Sequence, residues 1–268
     1  NFREFLEIFL FKQKKIYSFF KIKIFLYLGK LFNLNPDYSI KTGQFPYINK
    51  NKNTKIIYGN SDDFNVFLSQ KKININIKKL RKFGLFLEAP TPLFEGDTFI
   101  TKDDSKIFGD PKKWIERLNI FFNFLENNLR ILIKIAPHPK VFHKNRFPDY
   151  YFGREIIKYN LNDIARHSEL FISRSSTAMG YAVMHNKPSL FLTTNKIIQG
   201  PKYEYQKIIS SEFGTKPINI DLNINSFQLK KALKINKKKY ERYKLQYLTS
   251  RLDKKNNFQL IKDLFKNL

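Results

Sequence analysis

A strand that ends in a rigid loop is indicated by Arg130-Ile131-Leu132-Ile133-Lys134-Ile135-Ala136-Pro137-His138-Pro139. The apolar run is short and rich in isoleucine, as in a buried strand, and proline stops it because proline cannot donate to a neighbouring strand. Residues 111–127 carry Trp, Leu and Phe at helical spacing, with Pro111 in the first turn. This part of the chain therefore predicts a helix, a buried strand and a loop, in that order.

Strands and helices alternate on both sides of this strand. Further strands are predicted at 83–87, 170–172 and 189–192, and helices at 161–167 and 176–185. Earlier in the chain, residues 55–58 predict a strand that leads through Gly59 to a helix capped by Ser61 or Asp62. Such alternation is typical of α/β proteins, so we expect a Rossmann-type, doubly wound parallel sheet.

Three regions are expected along the chain. They are a partial N-terminal α/β domain at 1–74, a Rossmann-like nucleotide-binding domain at 75–225, and helices that pack back on the domains at 226–268. The sequence begins at Asn1 without a methionine, which is typical of a partial sequence. Residues 2–32 are apolar, but lysines interrupt them too often for a spanning helix, and they fit either ordinary amphipathic helices or helices docked on a membrane surface.

The composition narrows the classes of partner and of site. The formal net charge is +26, but the lysines are scattered among acidic and apolar residues, without an arginine-rich stripe or an aromatic RNA-binding signature. This pattern argues against nucleic acid and favours attraction to an anionic membrane surface or to anionic sugar donors. The chain contains no cysteine, which excludes disulfides and thiolate metal sites and fits a reducing cytoplasm.

Polar side chains follow three of the predicted strands, where an open parallel sheet binds its ligands. The three clusters are Glu88 with Glu95 and Asp97, His138 with Pro139, and Ser173-Arg174-Ser175-Ser176-Thr177. Hydroxyls and backbone N–H groups at the start of a helix form an anion site, and phosphate is the expected anion for the third cluster. Ser175 or Ser176 also fits a simple helix cap, so both interpretations stay open.

His138 and Glu88 are the candidates for acid–base chemistry. His138 lies between two prolines, in a rigid loop that directs its imidazole toward a phosphate or a leaving-group oxygen. Glu88 is placed either to deprotonate an acceptor hydroxyl or to pair with a lysine. For Glu95 and Asp97, pairing with lysine is the expected role.

No metal is expected in the site. The sequence has no Asp-x-Asp triplet, and His143, His167 and His185 lack the spacing of metal ligands. We therefore expect these three histidines at the surface or in ordinary packing.

Three segments together resemble a known family. They are Ile133–Pro139, Phe171–Ala178 and Asn186–Leu192. Their order resembles the C-terminal half of GT-B glycosyltransferase-like proteins of capsule and lipopolysaccharide biosynthesis, such as the capsular Kdo transferases and the polysialyltransferases. The resemblance implies a GT-B-like α/β fold, with the Rossmann-type sheet domain preceded by a partial second α/β domain.

The resemblance also implies roles for particular residues. Glu88 and His138 would be catalytic, Glu88 as the base and His138 in contact with the donor phosphate. Ser175 and Ser176 would bind the nucleotide phosphates. We expect Pro139, Arg174 and Thr177 to complete this phosphate-binding set.

Three positions depart from the family pattern. Tyr181 stands where many UDP-sugar enzymes have a ribose-binding glutamate, and Asn186 stands where glycine usually precedes Lys-Pro. Glu88 is followed by Ala-Pro and lacks the acidic pair and glycine of the polysialyltransferases. A CMP-sugar donor is therefore favoured over a UDP-sugar donor.

The expected function is that of a metal-independent glycosyltransferase without a cofactor. It would move a sugar from a nucleotide-sugar donor to a glycan or lipid-linked acceptor of bacterial surface polysaccharide. A sugar-nucleotide 2-epimerase, a polyol-phosphate polymerase and a catalytically inactive scaffold are the alternatives with the same architecture. We expect the protein in the cytoplasm, either free or at the inner face of the cytoplasmic membrane.

Overall fold

The computed structural model describes residues 24, 27–29, 36–44, 53–69, 81–89, 111–138, 151–157, 161–200, 202–250 and 254–266. The chain divides into two compact units, Asn1–Lys41 with Pro46–Tyr58, and Thr42–Phe45 with Gly59–Leu268. In the first unit the described backbone is mainly a two-stranded sheet of β1 (Tyr38–Thr42) and β2 (Lys55–Gly59), and β2 confirms the strand predicted at 55–58. The domain boundary predicted near residue 75 lies outside the described residues.

The second unit is built on a five-stranded parallel sheet. Its strands are β3 (Phe83–Leu87), β4 (Leu132–Ala136), β5 (Leu170–Ser173), β6 (Ser189–Thr193) and β7 (Ile218–Asn219), in the spatial order β4-β3-β5-β6-β7. The register places Leu87 opposite Ala136 on one side and opposite Ser173 on the other. The first four strands occupy the predicted positions, because each is a short apolar run between loop residues.

Helices connect these strands. They are α1 (Asp62–Leu68), α2 (Pro111–Leu129), α3 (Leu161–Ala165), α4 (Gly180–Met184), α5 (Asn195–Ile198), α6 (Lys202–Glu212), α7 (Ser226–Ala232), α8 (Lys237–Tyr243) and α9 (Asn257–Lys266), with a 3₁₀ turn at Thr177–Met179 and a π turn at Lys244–Leu248. Ser61 caps α1, since its side chain accepts the N–H of Phe64 at 3.2 Å. The helix predicted at 176–185 is therefore a 3₁₀ turn that runs into α4.

The helices cover both faces of the sheet. On one face, Leu118 and Phe122 of α2 pack with Phe86 of β3. On the other face, Tyr181 of α4 packs in the same cluster as Leu85 of β3. Successive strand residues point to opposite faces, so β3 is buried on both sides and all five of its residues are buried. The expected α/β class with a Rossmann-type, doubly wound parallel sheet is confirmed.

A short segment, residues 151–157, lies along the outer edge of β4. The N–H of Ile135 donates to the carbonyl of Glu155 at 2.9 Å, and the N–H of Ile157 donates to the carbonyl of Ile135 at 2.8 Å. Arg154 ties this edge segment to α2, because its guanidinium forms a salt bridge with Glu126 at 2.7 Å. We refer to residues 151–157 as the edge segment.

The described part of the C-terminal region is mainly helical, in agreement with the helical periodicity predicted for 226–268. Helix α8 returns to the sheet, where the hydroxyl of Tyr240 donates to the carbonyl of Lys187 at 2.8 Å and lies 3.1 Å from Ser189 Oγ. Asn257 at the start of α9 holds Asn60, accepting its backbone N–H at 2.8 Å. In the parts of the chain that the structure describes, no helix combines the length and apolarity needed to cross a membrane.

Candidate functional site

The strand order places a crevice at the carboxyl ends of β3 and β5. The connection that leaves β3 runs to α2 on one face of the sheet, whereas the connection that leaves β5 runs to α4 on the other face. Adjacent strands whose connections leave in opposite directions open a crevice between them, and open α/β sheets bind their ligands there. Glu88 follows β3 and Arg174 follows β5, so two of the three predicted clusters border this point.

Glu88 lies at the centre of the site and is only 4% exposed. Its Oε2 accepts the backbone N–H of His138 at 3.0 Å, and its Oε1 accepts the hydroxyl of Tyr151. Its own N–H donates to the carbonyl of Ala136 at 3.0 Å, which continues the pairing of β3 with β4. Burial raises the pKa of the Glu88 carboxyl, and the hydrogen bonds from Tyr151 and His138 partly offset this shift.

His138 stands beside Glu88, directly after β4. His138 is half-buried, and the hydrogen bond from its N–H to Glu88 fixes its backbone. The structure thus brings together two residues that the sequence predicted for the site, although they are far apart in the chain. Pro139, Glu95, Asp97 and His143 lie outside the described residues.

Ser173 organises the third cluster from the end of β5. Its Oγ donates to the carbonyl of Leu87 at 2.9 Å and accepts the N–H of Ser176 at 3.1 Å. Ser173 is completely buried, so this hydroxyl joins β3 to the turn that follows β5. Ser173 therefore has a structural role in the turn, and the side chains that follow it are the ones that solvent or a ligand can reach.

Ser176 caps the 3₁₀ turn, since its Oγ accepts the N–H of Ala178 at 3.2 Å. This is the helix-cap interpretation that the sequence left open. Arg174 and Ser175 are half-buried and Thr177 is exposed. Within the described ranges, the backbone N–H groups of Ser175 and Thr177 have no acceptor. An anion placed at this turn would therefore find N–H donors and hydroxyls together.

Gln206 is a site residue that the sequence did not indicate. It lies on α6, and its Nε2 donates to the carbonyl of Arg174 at 2.9 Å and to the carbonyl of Leu192 at 2.6 Å. The side chain therefore holds together the loops that follow β5 and β6. Nothing in the surrounding Lys- and Tyr-rich sequence marks this glutamine, because its partners are carbonyls of distant residues.

Tyr181 is turned toward α1. Its ring is 4% exposed, and its hydroxyl lies 3.4 Å from Oδ1 of Asp63. Burial raises the pKa of the Tyr181 hydroxyl and also raises the pKa of Asp63. Tyr181 stacks on His185, and the edge of Phe67 meets the same imidazole. These residues form a helix–helix contact between α1 and α4, and His185 is a packing residue.

Metal ligands do not cluster in the described portion of the chain, where no group of three or more His, Cys, Asp or Glu side chains could hold a metal ion. Glu88 forms no salt bridge with a described lysine or arginine. The site therefore consists of a buried carboxyl, a histidine loop and a serine-rich turn at the ends of three neighbouring strands.

No protein-family model matches the sequence, and no characterised protein is significantly similar to it. Weak likenesses exist among solved structures. UDP-GlcNAc 2-epimerase from Methanocaldococcus jannaschii, in complex with UDP-GlcNAc and UDP, has a TM-score of 0.41 and 13% identity over 79% of this chain and 55% of that chain. A second structure of this epimerase has a TM-score of 0.38 and 14% identity over 79% of this chain and 56% of that one.

KpsC from Thermosulfurimonas dismutans, described as a beta Kdo 2,4 transferase, has a TM-score of 0.28 and 16% identity over 42% of this chain and 34% of that chain. The chain thus spans little more than half the length of the epimerase structures and about a third of KpsC. Likenesses this weak say nothing about the chemistry of this chain.

Proposed function

We propose that the crevice at the ends of β3, β4 and β5 binds the phosphates of a nucleotide sugar and that the protein is an enzyme acting on that sugar. The observation that carries this proposal is that the His138 loop and the serine-rich turn follow β4 and β5, the two strands that flank β3, so that both leave the carboxyl edge of the sheet next to its topological switch point. The N–H groups of Ser175 and Thr177 supply donors for an anion at the same place.

The predicted phosphate-binding residues and His138 each have a role in this proposal. Arg174, Ser175, Ser176 and Thr177 hold the nucleotide phosphates, with Arg174 adding a charge-assisted donor. His138 donates a hydrogen bond to the leaving phosphate oxygen, where charge develops as the sugar departs. Pro139, the next residue in the sequence after His138, is proposed to contact the nucleotide phosphates.

We further propose a metal-independent glycosyl transfer from a CMP-sugar to a glycan or lipid-linked acceptor of bacterial surface polysaccharide. The choice of CMP over UDP rests on the departure from the family pattern, since Tyr181 stands where many UDP-sugar enzymes have a glutamate and its buried hydroxyl lies next to Asp63. As the bond between the sugar and the CMP phosphate breaks, the acceptor oxygen bonds to the sugar and its proton passes to the released phosphate. His138 and the donors of the serine-rich turn stabilise the negative charge on that phosphate.

Calorimetric titration with CMP and with UDP tests the proposal. The wild-type protein is expected to bind CMP more tightly, and His138→Ala should weaken the binding by about tenfold, the equivalent of one charge-assisted hydrogen bond. His167→Ala is the matched control, because that imidazole contacts Arg166 outside the site. A protein that melts cooperatively but binds neither nucleotide would contradict the proposal.

Product analysis with labelled donors separates the alternatives. A glycosidic product supports transfer, whereas free epimerised sugar would identify a 2-epimerase and a phosphodiester product would identify a polyol-phosphate polymerase. Surface glycan synthesis that is unchanged in cells carrying His138→Ala would instead favour a scaffold.

We also propose that the protein works in the cytoplasm, docked on the inner face of the membrane through α9. Phe258 and Phe265 on this helix are 73% and 66% exposed. Lys262 lies between them on the same face, and Lys266 is exposed beside them. Aromatic rings next to lysines suit a bilayer with anionic headgroups, and the net charge of +26 attracts the whole chain to such a surface.

Co-sedimentation with lipid vesicles tests this docking. Binding to phosphatidylglycerol-containing vesicles is expected, with little binding to pure phosphatidylcholine. Exchanging both Phe258 and Phe265 for serine should weaken the binding by at least about tenfold, because two aromatic side chains no longer enter the interface. Phe227→Ser on α7 is the matched control, since Phe227 is 75% exposed. Equal loss in the control, or a dimer that forms through α9, would refute the assignment.

A further inference from the structure

The hydrogen bonds of Glu88 suit a residue that holds other parts of the site in place. Both carboxyl oxygens are engaged, one by the N–H of His138 at 3.0 Å and the other by the hydroxyl of Tyr151. The side chain is 4% exposed, and no described cation forms a salt bridge with it. A base that receives a proton from an acceptor hydroxyl must face that hydroxyl, whereas these oxygens face the protein's own donors.

Glu88 and the two residues that it joins come from three separate parts of the unit. Glu88 follows β3, which lies between β4 and β5 in the sheet, His138 follows β4, and Tyr151 opens the edge segment. Tyr151 is itself held, because its ring is 3% exposed among the core residues around Phe86, and its carbonyl accepts from Arg154 at 3.2 Å. The Glu88 carboxyl thus links the histidine loop to this anchored tyrosine.

We propose that Glu88 is a positioning residue, which fixes the backbone of His138 against the anchored Tyr151 so that the histidine loop is preorganised for the nucleotide phosphate. This inference rests on the proposed function, and it replaces the role of base that the family resemblance implied for Glu88. Preorganisation of this kind lowers the cost of binding, since the loop does not have to be ordered by the ligand.

The buried carboxyl also couples binding to protons. Burial already raises the pKa of Glu88, and a phosphate bound beside His138 would raise it further through charge repulsion. Binding then takes up a proton, so nucleotide affinity should fall as the pH rises through the pKa of Glu88. The described groups facing this carboxyl are the Tyr151 hydroxyl and the His138 amide. Glu88→Gln, which has no titrating carboxyl, should remove this pH dependence.

Nucleotide titrations of Glu88→Gln, Tyr151→Phe and the double variant test the proposal, with CMP and UDP as the probes. Tyr151→Phe should weaken binding by about tenfold, the equivalent of one hydrogen bond to a charged group, and Glu88→Gln should weaken it by less where the wild-type carboxyl is ionised, because this change also removes the repulsion of the phosphate. The double variant should be no weaker than Tyr151→Phe alone, because both changes break the same bridge. Glu169→Gln is the matched control, since Glu169 is exposed just before β5.

Two further readouts keep the test decisive. Amide hydrogen exchange at His138 should accelerate in both single variants, with or without nucleotide, and unchanged exchange would overturn the positioning role. A Glu88→Gln protein that binds nucleotide normally but loses turnover, beside a Tyr151→Phe protein that is fully active, would restore the role of base. If the wild-type protein binds no nucleotide, the proposed function fails, and the exchange at His138 alone decides whether Glu88 holds the loop.

Discussion

Replacement of Arg154 by methionine should be among the most destabilising single changes in the second unit. The guanidinium, whose side chain is 8% exposed, donates to Oε1 and Oε2 of Glu126 at 3.1 and 2.7 Å. It also reaches the Oδ1 atoms of Asn119, at 2.6 Å, and Asn123. Glu126 in turn accepts the N–H of Ile133 at 2.9 Å, so one ion pair joins α2, the edge segment and β4.

The magnitude follows from the carboxylate that the change leaves behind. Breaking a buried ion pair by removing one partner costs about 3–5 kcal/mol, because the other charge stays buried without compensation. Glu126 is 21% exposed and keeps its bond to Ile133, so water and one donor still stabilise it. We therefore expect Arg154→Met to lower the free energy of unfolding by about 3 kcal/mol.

Urea unfolding at pH 7 measures this loss, with an unchanged slope as evidence that the native state stays compact. Arg242→Met is the matched control, because Arg242 pairs with Glu212 at 2.7 Å but is 45% exposed, and its loss should cost less than about 1 kcal/mol. Adding Glu126→Gln to Arg154→Met should recover at least about 1 kcal/mol relative to the sum of the single effects. A loss below about 1 kcal/mol for Arg154→Met, or strictly additive effects, would refute the reasoning.

The remaining predictions concern stability elsewhere in the second unit. Burial, followed by nearby cations, lowers the pKa of His185 from 6.5 to about 4, so the neutral imidazole stabilises the fold above pH 6.5 and this stabilisation is lost as the pH falls through 4. In urea titrations the free energy of unfolding of His185→Phe should therefore fall by roughly 1 kcal/mol less than that of the wild type between pH 7 and pH 5. Gly214 has a φ of +75° and an added Cβ would lie 2.5 Å from Cβ of Asn236, so Gly214→Ala should cost roughly 2 kcal/mol by thermal unfolding. Leu118 is fully buried, so Leu118→Ala should lower the free energy of unfolding by about 2–5 kcal/mol. A loss below about 1 kcal/mol would show that the core collapses around the cavity.

The positions of the strands could be predicted from the sequence because each is an apolar run between prolines, glycines and polar residues. The strand that ends at Ala136 and the strand that ends at Ser173 are examples. The order of these strands in the sheet follows from long crossovers, and local patterns carry no information about it. Strand β7 was not predicted, since it has only 2 residues and no hydrophobic period.

The residues of the candidate site could also be predicted only in part from the sequence. Glu88, His138 and the serine-rich turn were expected because they follow strands, and the structure places Glu88 in contact with His138. The partners Tyr151 and Gln206 could not be expected, since they reach the site from residues far away in the chain, through one hydroxyl and one amide. The roles that the family resemblance implies for the site residues stay predictions.

The edge segment also covers one border of the sheet. A parallel sheet exposes unpaired backbone groups at its outer strands, where a second chain can add itself and start an aggregate. Here the N–H and the carbonyl of Ile135 are already taken by the edge segment, and the opposite border is a strand of only 2 residues. By holding the edge segment, Arg154 and Tyr151 therefore also protect β4 from pairing with another chain. Variants that release the edge segment should form β-rich aggregates at concentrations where the wild-type protein stays in solution.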